Sequence, residues 1–199
     1  MKKIVFATHN AHKLEEVRMI LRNEAEVVGL TEIGCLEEIP EDAVTLEENA
    51  QSKAMFVYEK YGFDCFADDT GLEVEVLNGA PGVFSARYAG EPSNSEKNVE
   101  KLLREMNGIT NRNAQFRTVI ALAENGETYY FEGIIKGKIG YERIGEKGFG
   151  YDPVFIPEGY DLSFAQMDSV LKNEISHRAL AIRKFSAFMK SQKRQKTDN

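Results

Sequence analysis

The chain has 199 residues, 42% hydrophobic and 29% charged, which is enough for one globular domain with a substantial core and carries no low-complexity tract or repeat. Its net charge is −7, and the visible basic excess is confined to residues 190–196, so a nucleic-acid partner, which calls for a basic face, is not expected. Cys35 and Cys65 lack metal-ligand spacing and read as free thiols in a reducing compartment. With no signal-peptide core and no apolar run near the ~20 residues of a membrane span, a cytoplasmic protein without a membrane partner is expected.

Residues 4–7 are short, apolar and partly β-branched, the pattern of a buried strand. Leu14, Val17, Ile20 and Leu21 recur at helical spacing and predict a helix over 13–22. A second short strand covers 27–30, and the acidic stretch 37–42, interrupted by Pro40, reads as a loop. Thr45-Leu46-Glu47-Glu48 fits a capping box that opens a helix running to about Tyr61. Cys65-Phe66-Ala67 reads as a strand ending at Asp68-Asp69, and the alternating segment 72–76 as another. Asn78-Gly79-Ala80-Pro81-Gly82 is turn chemistry. Ser93-Asn94-Ser95-Glu96 is a second capping box, opening a helix that contains Val99, Leu102, Leu103 and Met106.

Strands at 116–123 and 128–135 flank Asn125-Gly126, a strong hairpin signal. Glycine-rich loops surround Gly148-Phe149-Gly150-Tyr151-Asp152-Pro153. A last amphipathic helix carries Ala179, Ile182, Phe185, Phe188 and Met189. The mixture predicts an α/β or α+β fold around a mixed sheet, one domain over 1–190 followed by a basic, disordered tail over 191–199.

Five constellations carry chemistry. Adjacent carboxylates at Asp68 and Asp69 resist desolvation unless they share a cation, and the glycine at 71 permits a sharp turn or a close approach; a strand end capped by an Asx-turn is the plainer alternative. Thr8-His9-Asn10-Ala11-His12-Lys13 joins a strand to a helix N-terminus, whose unpaired N–H groups suit a phosphate, although simple N-capping by Asn10 also accounts for it. Among Glu37, Glu38, Glu41, Asp42, Glu47 and Glu48, one carboxylate combined with Asp69 would suffice for Mg2+, which takes its remaining oxygens from water and phosphates. Glu48 is discounted because the capping box employs it. Lys53, Arg87, Lys172 and Arg178 are candidate anion partners or solvated surface. Phe149 among glycines offers a stacking face and Asp152 an acceptor for a base edge, or a structural turn. Together these parts describe a site for a polyphosphate with an attached ring.

In this combination the chain resembles the inosine/xanthosine triphosphate pyrophosphatase family over nearly its whole length, about residues 4–188. The resemblance rests on Thr8-x-Asn10-x-x-Lys13, Glu48-Asn49-Ala50, Asp68-Asp69-Thr70-Gly71-Leu72, Gly79-Ala80-Pro81-Gly82, Ser85-Ala86-Arg87, Phe149-Gly150-Tyr151-Asp152-Pro153 and Ser176-His177-Arg178, in that order. It implies an elongated mixed sheet flanked by helices, two lobes around a nucleotide cleft, and a homodimer. It further implies hydrolysis of non-standard purine nucleoside triphosphates to monophosphate and pyrophosphate. In that scheme residues 8–13 (Thr8, His9, Asn10, Ala11, His12, Lys13) and Lys53 bind the triphosphate, Glu41 and Asp69 hold Mg2+, and Asp69 is the base that activates water. Thr70 contacts the substrate, Phe149, Gly150, Tyr151 and Asp152 hold the base and sugar, and Lys172, His177 and Arg178 read the base. One departure is Ala43, where many relatives carry glycine; it bears on the loop that would place Glu41.

Overall fold

The computed structural model describes residues 2–197 of the chain, with side chains through Gln192. In chain order the elements are β1 (Lys2–Phe6), α1 (Ala11–Leu21), β2 (Ala25–Gly29), α2 (Leu46–Tyr61), β3 (Cys65–Val74), β4 (Pro81–Gly82), α3 (Ser95–Glu105), β5 (Asn113–Glu124), β6 (Glu127–Ile139), β7 (Phe155–Pro157), α4 (Ser169–Ile175) and α5 (His177–Thr197). The sheet order is β2-β1-β3-β5-β6-β7, with β4 paired to β3. β1 is parallel to both β2 and β3, and α1 and α2 occupy the crossovers that parallel neighbours require. The mixed sheet agrees with the predicted fold class.

The chain forms two compact units that interleave in sequence. The first comprises residues up to Asp69, Thr118–Gly133 and the chain from Arg178 onward; the second comprises Thr70–Arg117 and Ile134–His177. In the first unit β1 and the N-terminal half of β3 are buried on both faces, as parallel strands covered by helices must be. Ile4, Phe6 and Phe66 pack with Val17, Leu21, Ile182 and Phe185 from α1 and α5, and Phe6 stacks on Phe66 with ring centroids 4.6 Å apart. Val5, Ala7, Cys65 and Ala67 point the other way, onto Ala50, Ala54 and Val57 of α2. The second unit is built around Leu72, Val74, Val99, Leu102, Met106, Phe116, Tyr151, Phe155 and Phe164.

Local sequence explains most element ends. Thr45 caps α2, accepting from the Glu48 N–H at 3.2 Å while its hydroxyl donates to the Glu48 carboxylate at 2.9 Å. Asn125 and Gly126 both have positive φ, 53° and 81°, the geometry of a two-residue hairpin turn, and they join β5 to β6 as predicted.

Two expectations are corrected. Asp68 and Asp69 do not end a strand: β3 runs unbroken from Cys65 to Val74 through both of them. Gly71 is therefore no turn residue; a Cβ there would lie 2.7 Å from the Gly82 carbonyl oxygen, so glycine is what lets β4 approach β3. The cap of α3 is Asn94, which accepts from the Lys97 N–H at 3.0 Å, whereas the Ser93 hydroxyl donates to the Ala86 carbonyl. The side chains of residues 193–199, most of the expected basic tail, lie outside those described.

Candidate active site

Strand alternation places the two central carboxylates. Successive side chains of a strand face opposite ways, so Asp68 continues the Phe66 face toward α1 and α5, and Asp69 continues the Cys65 and Ala67 face toward α2. Asp68 accepts from Lys13 Nζ at 2.9 Å and from Arg178 Nε at 2.9 Å. Arg178 Nη1 also donates to Glu16 at 2.6 Å. Lys13 and Glu16 sit three residues apart on α1 and so share a face. The result is a chain of charges, Lys13–Asp68–Arg178–Glu16, in which Asp68 is 2% and Arg178 1% exposed.

Burial opposes ionisation of Asp68, but Lys13, Arg178 and Lys53 outweigh it and hold its carboxyl well below the usual range. Burial likewise works against the Arg178 charge, and Asp68 and Glu16 reverse that effect.

Asp69 has a different neighbourhood. Asn49 Nδ2 donates to its Oδ2 at 3.0 Å, and Lys53 Nζ lies 3.9 Å from its Oδ1. Lys53, itself buried, donates to Glu41 and to the Asp68 carbonyl oxygen at 2.7 Å. Burial and the nearby Glu41 carboxylate push Asp69 above the usual aspartate range, against the pull of Lys53 and Lys13. For Glu41 the balance falls the other way: Lys53 overcomes burial and lowers it. Burial disfavours the Lys53 charge, yet Asp69, Glu41 and Asp68 together raise its pKa.

Glu41 and Asp69, the carboxylates singled out in the sequence, both approach the Lys53 ammonium. Two carboxylates that both lean on a single cation fit a site able to take Mg2+. Among the described residues no three acidic, histidine or cysteine side chains form a metal cage, so phosphate and water oxygens would complete the shell, as Mg2+ usually requires. Of the other acidic residues in this stretch, Glu37 is tied to Lys60 and Tyr61, and Glu48 keeps its capping role.

Residues 8–13 join β1 to α1. Asn10 is the N-cap, accepting from the Lys13 N–H at 3.2 Å, and its own N–H donates to Thr8 Oγ1 at 3.1 Å. His9 Nε2 donates to the Glu37 carbonyl at 2.9 Å. Ala11 and His12 are exposed on the first turn of the helix.

In the second unit Phe149, Asp152 and Lys172, three of the residues expected at the base, meet at one buried ion pair, whereas Arg178 lies in the first unit. Lys172 Nζ, from α4, donates to Asp152 Oδ2 at 2.6 Å. It also lies over the Phe149 ring at 4.9 Å and the Phe164 ring at 5.7 Å. The Phe149 N–H donates to the same Asp152 oxygen at 2.9 Å, closing the turn. Gly148 is required here: its φ is 74°, and a Cβ would fall 2.0 Å from Asp152 Oδ2. His177 stacks on Phe116, centroids 4.5 Å apart and planes 16° from parallel. Tyr151 is buried, with its hydroxyl donating to the Ser85 carbonyl at 2.8 Å, so its ring is part of the core. Thr70 lies half-buried within β3 and Gly150 half-buried in the turn.

The first unit thus gathers Lys13, Glu41, Lys53, Asp69 and Arg178, and the second gathers Phe149, Asp152, Lys172 and His177. Sequence reasoning assigned no role to Glu16 or Asn49. Both act through partners distant in the chain; only the position of Asn49 inside the Glu48-Asn49-Ala50 motif signalled it.

A set of cations tied to carboxylates, beside a helix N-terminus, suits a polyanion, and a ring flanked by a lysine suits a heterocycle. The comparisons agree with that chemistry. The family model described as the Ham1 family matches residues 4–188. The chain is 58% identical over 190 residues to a dITP/XTP pyrophosphatase of Porphyromonas gingivalis, covering 95% of this chain and 98% of that one. It is 45% identical over 195 residues to a dITP/XTP pyrophosphatase of Bacillus subtilis, covering 96% and 98%. The solved structure of the Staphylococcus aureus Ham1 protein superposes with a TM-score of 0.86 at 40% identity, covering 96% of this chain and all of that one. A HAM1 protein from Coxiella burnetii gives 0.87 at 36%, with the same coverage. The resemblance read from the motifs therefore holds along almost the entire sequence, and the chain belongs to the Ham1 family.

Proposed function

We propose that the chain is a Mg2+-dependent pyrophosphohydrolase of non-standard purine nucleoside triphosphates, converting the triphosphates of inosine, deoxyinosine and xanthosine to monophosphate and pyrophosphate and so clearing them from the nucleotide pool. The observation that carries this reading is the gathering of Lys13, Lys53 and Arg178 around Asp68, Asp69 and Glu41 in a chain of net charge −7. Relatives that share about half of its sequence or more are dITP/XTP pyrophosphatases.

In this scheme the N–H groups and side chains of residues 8–13 meet the phosphates, with Lys13 and Lys53 supplying charge. Glu41 and Asp69 would hold Mg2+, which when bound neutralises phosphate charge and makes water more acidic. Asp69 takes the proton of the attacking water as its oxygen bonds to the α-phosphorus. The bond from that phosphorus to the bridging oxygen breaks, pyrophosphate departs, and the lysines offset the charge that builds on it. Thr70 contacts the substrate. Phe149 offers its ring to the base, with Gly150 and Tyr151 contributing backbone.

Base choice falls to Asp152, Lys172 and His177, together with Arg178, which Asp68 and Glu16 hold in place. The 6-keto oxygen of hypoxanthine or xanthine accepts from a cationic donor such as Lys172. The 6-amino group of adenine would face that donor with another donor, a mismatch able to discriminate by up to ~10⁴-fold. The family resemblance further supports a homodimer, to be tested by sedimentation velocity, and a cytoplasmic location. Among the described residues no helix is long and apolar enough to cross a membrane.

The test is pyrophosphate release from the triphosphates of inosine, xanthosine, guanosine and adenosine, with Mg2+ and with chelator. The reading expects Mg2+-dependent release from the first two far above the last two. Orthophosphate as the product, or no selectivity among purines, would overturn it.

A further inference from the structure

Asn49 is buried, 1% exposed, and both ends of its amide are engaged. Oδ1 accepts from the Ala43 N–H at 3.0 Å and Nδ2 donates to Asp69 Oδ2 at 3.0 Å. A backbone N–H can only donate, so the amide oxygen must face Ala43 and the amide NH2 must face Asp69. Asparagine is thus the fitting side chain of its size. Aspartate would set an acceptor against the Asp69 carboxylate, and leucine would serve neither partner.

One turn farther along α2, Lys53 repeats the arrangement. It reaches the same loop at Glu41 and the same strand at the Asp68 carbonyl. The i, i+4 pair Asn49 and Lys53 therefore cross-links the loop carrying Glu41 to the strand carrying Asp69 at two points.

From this geometry, and resting on the reading of Glu41 and Asp69 as the Mg2+ carboxylates, we infer that Asn49 is the positioning residue of the metal site: one side chain fixes the orientation of the Asp69 carboxylate and the placement of the Glu41 loop. The hydrogen bond occupies Oδ2 and leaves Oδ1 on the Lys53 side. The bond from Ala43 places no demand on the side chain at that position. The contact uses only the backbone N–H, and Ala43 is not among the residues with positive φ.

The experiment compares the wild type, Asn49→Ala and Asn49→Asp at alkaline pH. It measures inosine triphosphate turnover against Mg2+ concentration, Mn2+ binding to the protein alone by the electron paramagnetic resonance of free Mn2+, and thermal unfolding. Partners that orient metal ligands typically govern 10–100-fold in metal affinity or activity. For Asn49→Ala the expected result is a kcat lowered about 10–100-fold, a Mn2+ dissociation constant raised about tenfold or more, and KM for nucleotide changed less than about threefold.

Asn49→Asp keeps the size and the acceptor toward Ala43 but not the donor toward Asp69, and its kcat is expected to fall at least as far. If Asn49 merely tethers the loop, that near-isosteric variant restores kcat to within about twofold of the wild type, which overturns the inference, as does wild-type Mn2+ affinity in Asn49→Ala. Loss of Mg2+ dependence in the wild type itself would overturn the underlying reading, and the inference with it. An active, Mg2+-dependent wild type with indifferent variants overturns the inference alone.

Discussion

The two units handle charge in opposite ways. In the first, every cation of the cluster answers to a carboxylate. Lys13 and Arg178 share Asp68, Arg178 also binds Glu16, and Lys53 stands between Glu41 and Asp69. In the second, one ion pair, Lys172 with Asp152, sits among the rings of Phe149 and Phe164. The carboxylates of the first arrangement hold its cations in fixed positions, where on the proposed reading Lys13 and Lys53 meet the phosphates. On the proposed reading the second offers the Lys172–Asp152 pair and the Phe149 ring to the base. Apart from Arg178, which the proposed function assigns to base choice from the first unit, substitutions in the first unit should act on turnover and stability, and those in the second on the choice of base.

The largest effect is expected at Asp69. Asp69→Asn removes the proton acceptor and should lower kcat by about 10³-fold or more while nucleotide binding, read by calorimetry, persists. Near-normal turnover would break the assignment of roles between the units.

Asp68 sharpens the comparison through stability. Asp68→Asn leaves Lys13 and Arg178 without their shared carboxylate, and breaking a buried pair of this kind costs roughly 3–5 kcal/mol, measurable by urea unfolding. The dependence on pH follows from the same set of charges. The folded-state pKa of Asp68 is depressed below its ordinary 3.8, so its contribution is present above that value and is lost as pH falls through the folded value. Glu41, lowered from 4.5, adds in the same direction. Asp69, raised from 3.8, works the other way, since its contribution is present at low pH and disappears as pH rises through its elevated value. The wild type should therefore lose more stability on acidification below about pH 4 than Asp68→Asn does. Parallel curves for the two proteins would show that Asp68 is not held as described.

In the second unit, Lys172→Met should lower kcat/KM for inosine triphosphate by about 10–100-fold, the value of one charged hydrogen bond of about 1.5–3 kcal/mol. The gap to adenosine triphosphate should narrow accordingly. An equal loss for both nucleotides would deny the second unit its role in base choice. The smallest expected change is Thr45→Ala, which removes the cap of α2 for about 1 kcal/mol of stability without changing base preference.

What could be read from the sequence was local. The Thr45 cap, the Asn125-Gly126 turn and the helical spacing of Leu14, Val17 and Leu21 each act within a few residues, and each appears in the fold. The course of β3 is hidden in the sequence because Asp-Asp-Thr-Gly carries the composition of a turn. In the structure the distant cations Lys13 and Arg178 and the paired Gly82 flank it in its extended form. The cluster around Asp68 was legible only as residue types. The pairing of Glu16 with Arg178 links positions 162 residues apart, and the pairing of Asn49 with Asp69 depends on strand alternation that a misplaced strand end conceals. Capping at Ser93 was expected where Asn94 performs it, because both residues are good caps and only tertiary contact with Ala86 separates them.

The most direct test of the account is a single-turnover hydrolysis of inosine triphosphate in 18O-labelled water with Mg2+, followed by mass spectrometry of both products. Attack on the α-phosphorus, with Asp69 accepting the proton, places the heavy oxygen in inosine monophosphate and none in pyrophosphate. Label in pyrophosphate would mean that water attacks the β-phosphorus, and the chemistry assigned to the first unit would be wrong.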